Sequence, residues 1–260
     1  MATTMTTPIS IPYPSVDGDL DLRIQAGACR LRVTPVDGEA WITGTYQDPS
    51  GSILVTSEVE GNRATIHVGR SAADFFGFLS GVPELTLQIG RQRPFSLTIA
   101  AGASENHLEL GGLPISRLEI NHGAGSMEVK FSAPVTVPTT SMKFGVGAGR
   151  TDVHTLGNVN FAELAVEGGA ASCLLDFSGS GLQSGSVRLS TAMAGVDVRI
   201  PAGLATEVTS ENLLGQPQAD TGFTRRGGAW LSRAAADGKP VQLRIRSTMV
   251  MGQLRLVTVA

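Results

Sequence analysis

Between Leu97 and Ile200 one short pattern is written five times, and this repetition limits what the 260-residue chain can fold into more than any other feature. Each copy runs apolar-x-apolar, crosses a small-residue elbow rich in Gly and Ala, and resumes the apolar alternation. The copies open at Leu97, Leu118, Met142, Leu164 and Val187, spaced by 21, 24, 22 and 23 residues. The clearest read LEINHGAGSMEVKF (118–131), MKFGVGAGRTDVHT (142–155) and LAVEGGAASCLLDF (164–177). A fixed period of about 20 to 50 residues means stacked units. Val, Leu, Ile and Phe on alternate positions make those units strands.

Aligned, the copies form columns. Leu108, Val129, Val153, Leu175 and Val198 make an inward stripe, which an earlier template, LDLRIQAGACRLRV (20–33), extends with Val33 and a last one, LRIRSTMVMGQLRL (243–256), extends with Leu254. The elbow column holds Gly27, Gly102, Gly123, Gly147 and Gly169, with Ala192 and Thr248 as exceptions. Close backbone approach excludes a bulky side chain there.

Outside the copies, residues 1–15 are rich in Thr and Pro and are expected to form a flexible tail, with a single elongated β-repeat domain over 16–260. Gly61-Asn62 between alternating runs predicts an antiparallel hairpin. Residues 205–240 read as a hairpin excursion, with turns at Gly227-Gly228 and Asp237-Gly238, that rejoins the stack at Val241. The fold class expected is all-β: a right-handed, solenoid-like stack of repeats of about 22–23 residues, with hairpin excursions and no substantial helix.

A net charge of -3 gives no electrostatic case for nucleic acid. No apolar run approaches the roughly 18 residues that span a bilayer. The first fifteen residues lack a basic n-region, and Pro8, Pro12 and Pro14 interrupt their apolar positions, which argues against a signal peptide. Cys29 and Cys173 form no CxxC, so a reducing, cytoplasmic setting is expected, peripheral to a membrane only through a partner.

Candidate chemistry is sparse. Two outward columns carry ionisable groups: His107, Glu128, Asp152, Leu174, Asp197, and Glu109, Lys130, His154, Asp176, Arg199. Stacked in register, column neighbours lie about 4.8 Å apart, so Glu128 and Asp152 would be adjacent carboxylates. A solvated face of alternating charge explains the same pattern, with Lys130 beside the acidic pair. His67, His107, His122 and His154 share no local metal-clamp spacing, and GVGAGR (145–150) lacks the lysine of a phosphate loop. Neither cofactor, metal nor catalytic residue is assigned. Two apolar stretches stand out as candidate contact surfaces: Phe75, Phe76, Phe78 and Leu79, which read first as a cap on the open end of the stack, and Met249, Val250 and Met251 in the last template.

The GAG elbows, LGN at 156–158, LLDFSG at 174–179 and the close GVDVRIP at 195–201 resemble the toast-rack domains. This bacterial β-repeat group, associated with DUF2154, includes the C-terminal domains of LiaF-like cell-wall-active antibiotic response proteins and the DUF4097-type candidate adhesins. The resemblance spans about residues 20–256. It implies a stacked β-sheet or solenoid, no catalytic motif, and relatives discussed as envelope-stress sensors or regulators. The reading that follows is a non-enzymatic scaffold or interaction module, working through a protein partner or self-association and linked to the bacterial cell-envelope stress response. The competing reading is a carbohydrate-binding or carbohydrate-active parallel β-helix using the Glu128, Asp152 and Asp197 column.

Overall fold

A computed structural model describes residues 5–49, 53–70, 81–214 and 217–260. Strand β1 (Met5–Pro12) precedes β2 (Leu20–Ala26), β3 (Arg30–Val36), β4 (Ala40–Asp48), β5 (Ile53–Glu60), β6 (Arg63–Arg70) and β7 (Glu84–Gly90). Then come β8 (Phe95–Glu109), β9 (Ile115–Lys130), β10 (Thr139–His154), β11 (Phe161–Asp176) and β12 (Gly185–Pro201). The chain closes with β13 (Thr206–Leu214), β14 (Gln218–Ala219), β15 (Phe223–Arg226), β16 (Ala229–Ser232), one helical turn α1 (Arg233–Ala236) and β17 (Leu243–Val259). All the described strands belong to one sheet system, a solenoid-like stack.

Each of the five copies is one long strand that runs through its elbow without a break. β8 through β12 pair parallel and in register, Leu97 with Leu118, Met142, Leu164 and Val187 in succession. The elbow divides every strand into a first and a second arm. Inward residues of the first arms, such as Ile99, Ile120, Phe144, Val166 and Leu189, and of the second arms, such as Leu108, Val129, Val153, Leu175 and Val198, are buried in one continuous core. Buried on alternate positions, these side chains each stabilise the fold by about 1.5 to 3 kcal/mol relative to exposure.

Stack order departs from chain order at both ends. β2 pairs parallel with β6 on one side and β8 on the other, while β3 lies between β7 and β8. The rung 20–36 is therefore inserted between the rung 63–90 and the first long strand. At the far end β17 lies between β12 and β13. The last strand in sequence is thus interior, and 206–219 forms the outer rung.

Three expectations change. Residues 5–12, read as part of a flexible tail, pair antiparallel with β4 and bury Ile9 and Ile11. Pro8 and Pro12 are tolerated because β4 is the one strand that β1 pairs with among the described residues, which leaves β1 at an edge. The stretch from 205 is a rung before it is an excursion; only β15 and β16, joined at Gly227-Gly228, form the antiparallel hairpin. The last template is set two residues along: Ile245 pairs with Val187 and Leu256 with Val198, so Leu256, not Leu254, continues the stripe. The hairpin at Gly61-Asn62 forms as predicted, with β5 antiparallel to β6.

Candidate functional site along the elbow ridge

At the elbows the backbones of successive rungs come so close that side chains are excluded on one line. A Cβ on Gly102 would stand 2.8 Å from the Gly27 carbonyl oxygen, and one on Gly169 would stand 2.9 Å from that of Gly147. Two residues further on, Gly125 and Gly149 have φ of 104° and 136°, a region that disfavours L side chains. Small residues along the first four elbows leave an open hollow of about 800 Å³, lined by Gly27, Gly102, Gly123 and Gly147 with Gln25, His67 and Asn121.

Between those two glycine lines runs an outward column that pairs Ala103, Ala124, Ala148, Ala170, Met193 and Met251 in register. The first four are methyl-sized, and the last two are methionines. Met193 is 54% exposed and Met251 44%. Beside them Val250 is 49% exposed, and Leu213 on the outermost rung is 77% exposed. Leu213 comes alongside because its neighbours Asn212 and Leu214 pair with Met249 and Met251. Four large apolar side chains thus share one end of the ridge.

Of the expected contact residues, Val250 and Met251 lie on this surface. Met249 does not: it points inward and is 1% exposed. Strand alternation requires this, since Val250 and not Thr248 occupies the elbow position of the shifted last copy. Met193 and Leu213 are additions, absent from the sequence reading because only the register brings them beside Val250. The other candidate stretch, Phe75, Phe76, Phe78 and Leu79, lies outside the described residues.

The charged columns form as expected, His107, Glu128, Asp152, Leu174 and Asp197 standing in register. They do not assemble into one hollow. Glu128 accepts from His107 Nδ1 at 3.1 Å and lies 3.9 Å from His154 Nε2, so histidines rather than Lys130 face it. Asp152 accepts from Arg150 Nε at 2.7 Å. Leu174 is buried between Asp152 and Asp197. Glu128 lines a shallow dip of about 320 Å³ with Arg32, His107, Glu109 and Lys130, which neither Asp152 nor Asp197 reaches. Among the described residues no set of three His, Cys, Asp or Glu side chains converges to hold a metal ion.

Two further groups sit inside the stack. Cys29 and Cys173 are buried free thiols, and burial pushes each up to about 12, Asp152 adding to the effect on Cys173. A thiol so placed is a poor nucleophile. His122 fills an inward slot beside the elbow at 3% exposure, with Nε2 3.4 Å from the Ser104 carbonyl. Burial holds its pKa below the ordinary value.

Residues 3–137, just over half of the chain, match the family model described as the N-terminal domain of toast_rack, DUF2154. The motifs at 156–158, 174–179 and 195–201 lie beyond the matched stretch. No curated protein matches the chain. Among solved structures, one from Clostridium sporogenes described as a candidate cell adhesion protein is 12% identical, with 99% of this chain and 100% of that one covered and a TM-score of 0.47. A candidate adhesin from Bacteroides fragilis is 9% identical, covers 99% and 98%, and has a TM-score of 0.42. A candidate lipid-binding protein from Parabacteroides distasonis is 14% identical, covers 99% and 97%, and has a TM-score of 0.41.

Proposed function

The chain belongs to the toast-rack family, and from that premise we propose that it is a non-enzymatic β-repeat scaffold gripped by protein partners at the apolar end of its elbow ridge. The observation that carries this reading is the group of Met193, Leu213, Val250 and Met251, large apolar side chains left exposed next to one another where earlier copies present only glycine and alanine. Methionine suits such a surface, because its unbranched thioether repacks against differently shaped partners. Patches of this kind mark contact sites more often than isolated exposed residues do. Among the described residues no helix is long and apolar enough to cross a membrane.

The first partner to test is a second copy of the chain. Sedimentation velocity across a concentration series should show association that Met193→Asp combined with Met251→Asp weakens while the circular dichroism spectrum is unchanged. A pull-down with both proteins covers other partners. A strict monomer whose co-purifying proteins are the same with and without the two substitutions would overturn the reading. A part in the bacterial cell-envelope stress response belongs to the same proposal and rests on family kinship alone; loss of the gene should alter survival under cell-wall-active antibiotics.

A further inference from the structure

On the outer face of the first arms, charged residues mostly meet opposite charges. Asp21 holds Arg63 at 2.7 Å and Glu167 holds Lys143 at 2.9 Å. The two arginines of β12 and β17 at this face break that habit. Arg188 and Arg246 are register partners, so their side chains leave adjacent strands about 4.8 Å apart. Their remaining register neighbours are Ala165 and Thr209, which carry no charge. Among the described residues neither guanidinium has an ion pair or a hydrogen-bond partner. Like charges directly opposed on a sheet destabilise it, so something should be gained when the pair is neutralised.

Around this pair the surface is hollow. Ala165, Ser186 and Thr209 are short and form the floor, while Arg188, Arg246, Arg244, Glu163 and Glu207 rise around a space of about 390 Å³. That volume falls within the span of small-molecule sites, about 300 to 1,000 Å³. Arg244 lies 3.7 Å from Glu207, so these two largely cancel. Glu163 on β11 makes no ion pair with either free arginine. Two guanidiniums against the one remaining carboxylate leave the hollow with a surplus positive charge. Ser186 Oγ already donates to the Ala162 carbonyl at 3.3 Å, which leaves the two guanidiniums and the Thr209 hydroxyl as donors.

We propose that this hollow is an oxyanion site in which Arg188 and Arg246 together hold a phosphate group. A guanidinium presents parallel N–H donors, and charge-assisted bonds of this kind are about twice as strong as neutral ones. A tetrahedral dianion offers oxygens to both forks at once and cancels both charges, whereas a monovalent carboxylate cancels one. The phosphate can belong to a soluble molecule or to a lipid headgroup.

Titration calorimetry of the full chain in low salt, with inorganic phosphate as the probe, tests the site. Saturable binding is expected, accompanied by a rise in Tm that sodium chloride at equal ionic strength does not reproduce. Arg188→Gln and Arg246→Gln should each weaken binding by roughly tenfold or more. Without phosphate both variants should be at least as stable as the parent, because each relieves the opposed charges; this shows that they fold. Vesicles of phosphatidylcholine with and without phosphatidic acid form the second arm. Arginine-dependent binding to the acidic vesicles identifies a headgroup, and phosphate binding without vesicle binding identifies a soluble ligand. Absence of binding in both arms, or binding that neither substitution weakens, overturns the assignment.

Discussion

Single residues at the elbow decide whether the rungs can close on one another. Gly149 has φ of 136° and faces the Gly125 carbonyl, so an alanine there meets backbone in a conformation that L residues avoid. Gly149→Ala should destabilise by about 1 to 3 kcal/mol, measured by urea denaturation. Gly195, three residues past the elbow position Ala192 of β12, has nothing within 4 Å of an added Cβ, and Gly195→Ala should be close to neutral. Equal losses at both positions would show that close approach is not the reason for glycine. A second test concerns His122. Its folded pKa lies below the ordinary 6.5, with burial as the main cause and the carbonyls of Ser104 and Ala124 opposing it. The unfolded chain therefore takes up the proton first. Stability from this group is complete above about pH 6.5 and is lost as the pH falls through that value toward the folded pKa. His122→Phe should flatten the dependence of Tm on pH between about 7 and 5; a parent and variant with parallel curves would remove His122 as the cause.

At the level of strands, the openers Leu97, Leu118, Met142, Leu164 and Val187 were legible because each inward slot must be apolar and every copy repeats it. The register of β17 was not. A shift of one residue would turn its apolar side chains to solvent, but a shift of two leaves the alternation intact, and Leu243 and Ile245 satisfy it equally. The strand character of Ile9 and Ile11 was hidden by the prolines around them, which only an edge position accommodates. At the candidate surface, Val250 and Met251 could be read from one segment, whereas Met193 and Leu213, like Arg188 and Arg246, become neighbours only through pairing between distant strands. Interior and edge placement predict different costs of truncation. Removing residues 241–260 deletes β17 from between β12 and β13 and exposes the inward faces of both, so the product should lose its β-sheet circular dichroism signal and aggregate. Removing residues 1–12 strips β1 from the edge; the fold should persist with a lower Tm, the loss coming chiefly from Ile9 and Ile11. A folded product after the C-terminal deletion would contradict the interior position of β17.

At the scale of the whole molecule the core of the described residues is one unbroken cluster, and the exchange of rung order at both ends gives it boundaries. Stacked repeats in general are vulnerable at their ends, where an unpaired strand invites another chain. Here the first-arm edges are covered by antiparallel β5 at one end and by the β15–β16 hairpin at the other, and β1 with its prolines covers the second arms beside β4. The buried position of the terminal strand also governs how such a chain can change length over evolution. A copy appended after Val259 finds both neighbours of β17 already taken, and one placed ahead of Leu20 finds β2 already flanked by β6 and β8. Duplication adds a rung without crossing over an existing one only among the copies of 95–201, so longer and shorter relatives of this architecture should differ in their middles and share their ends.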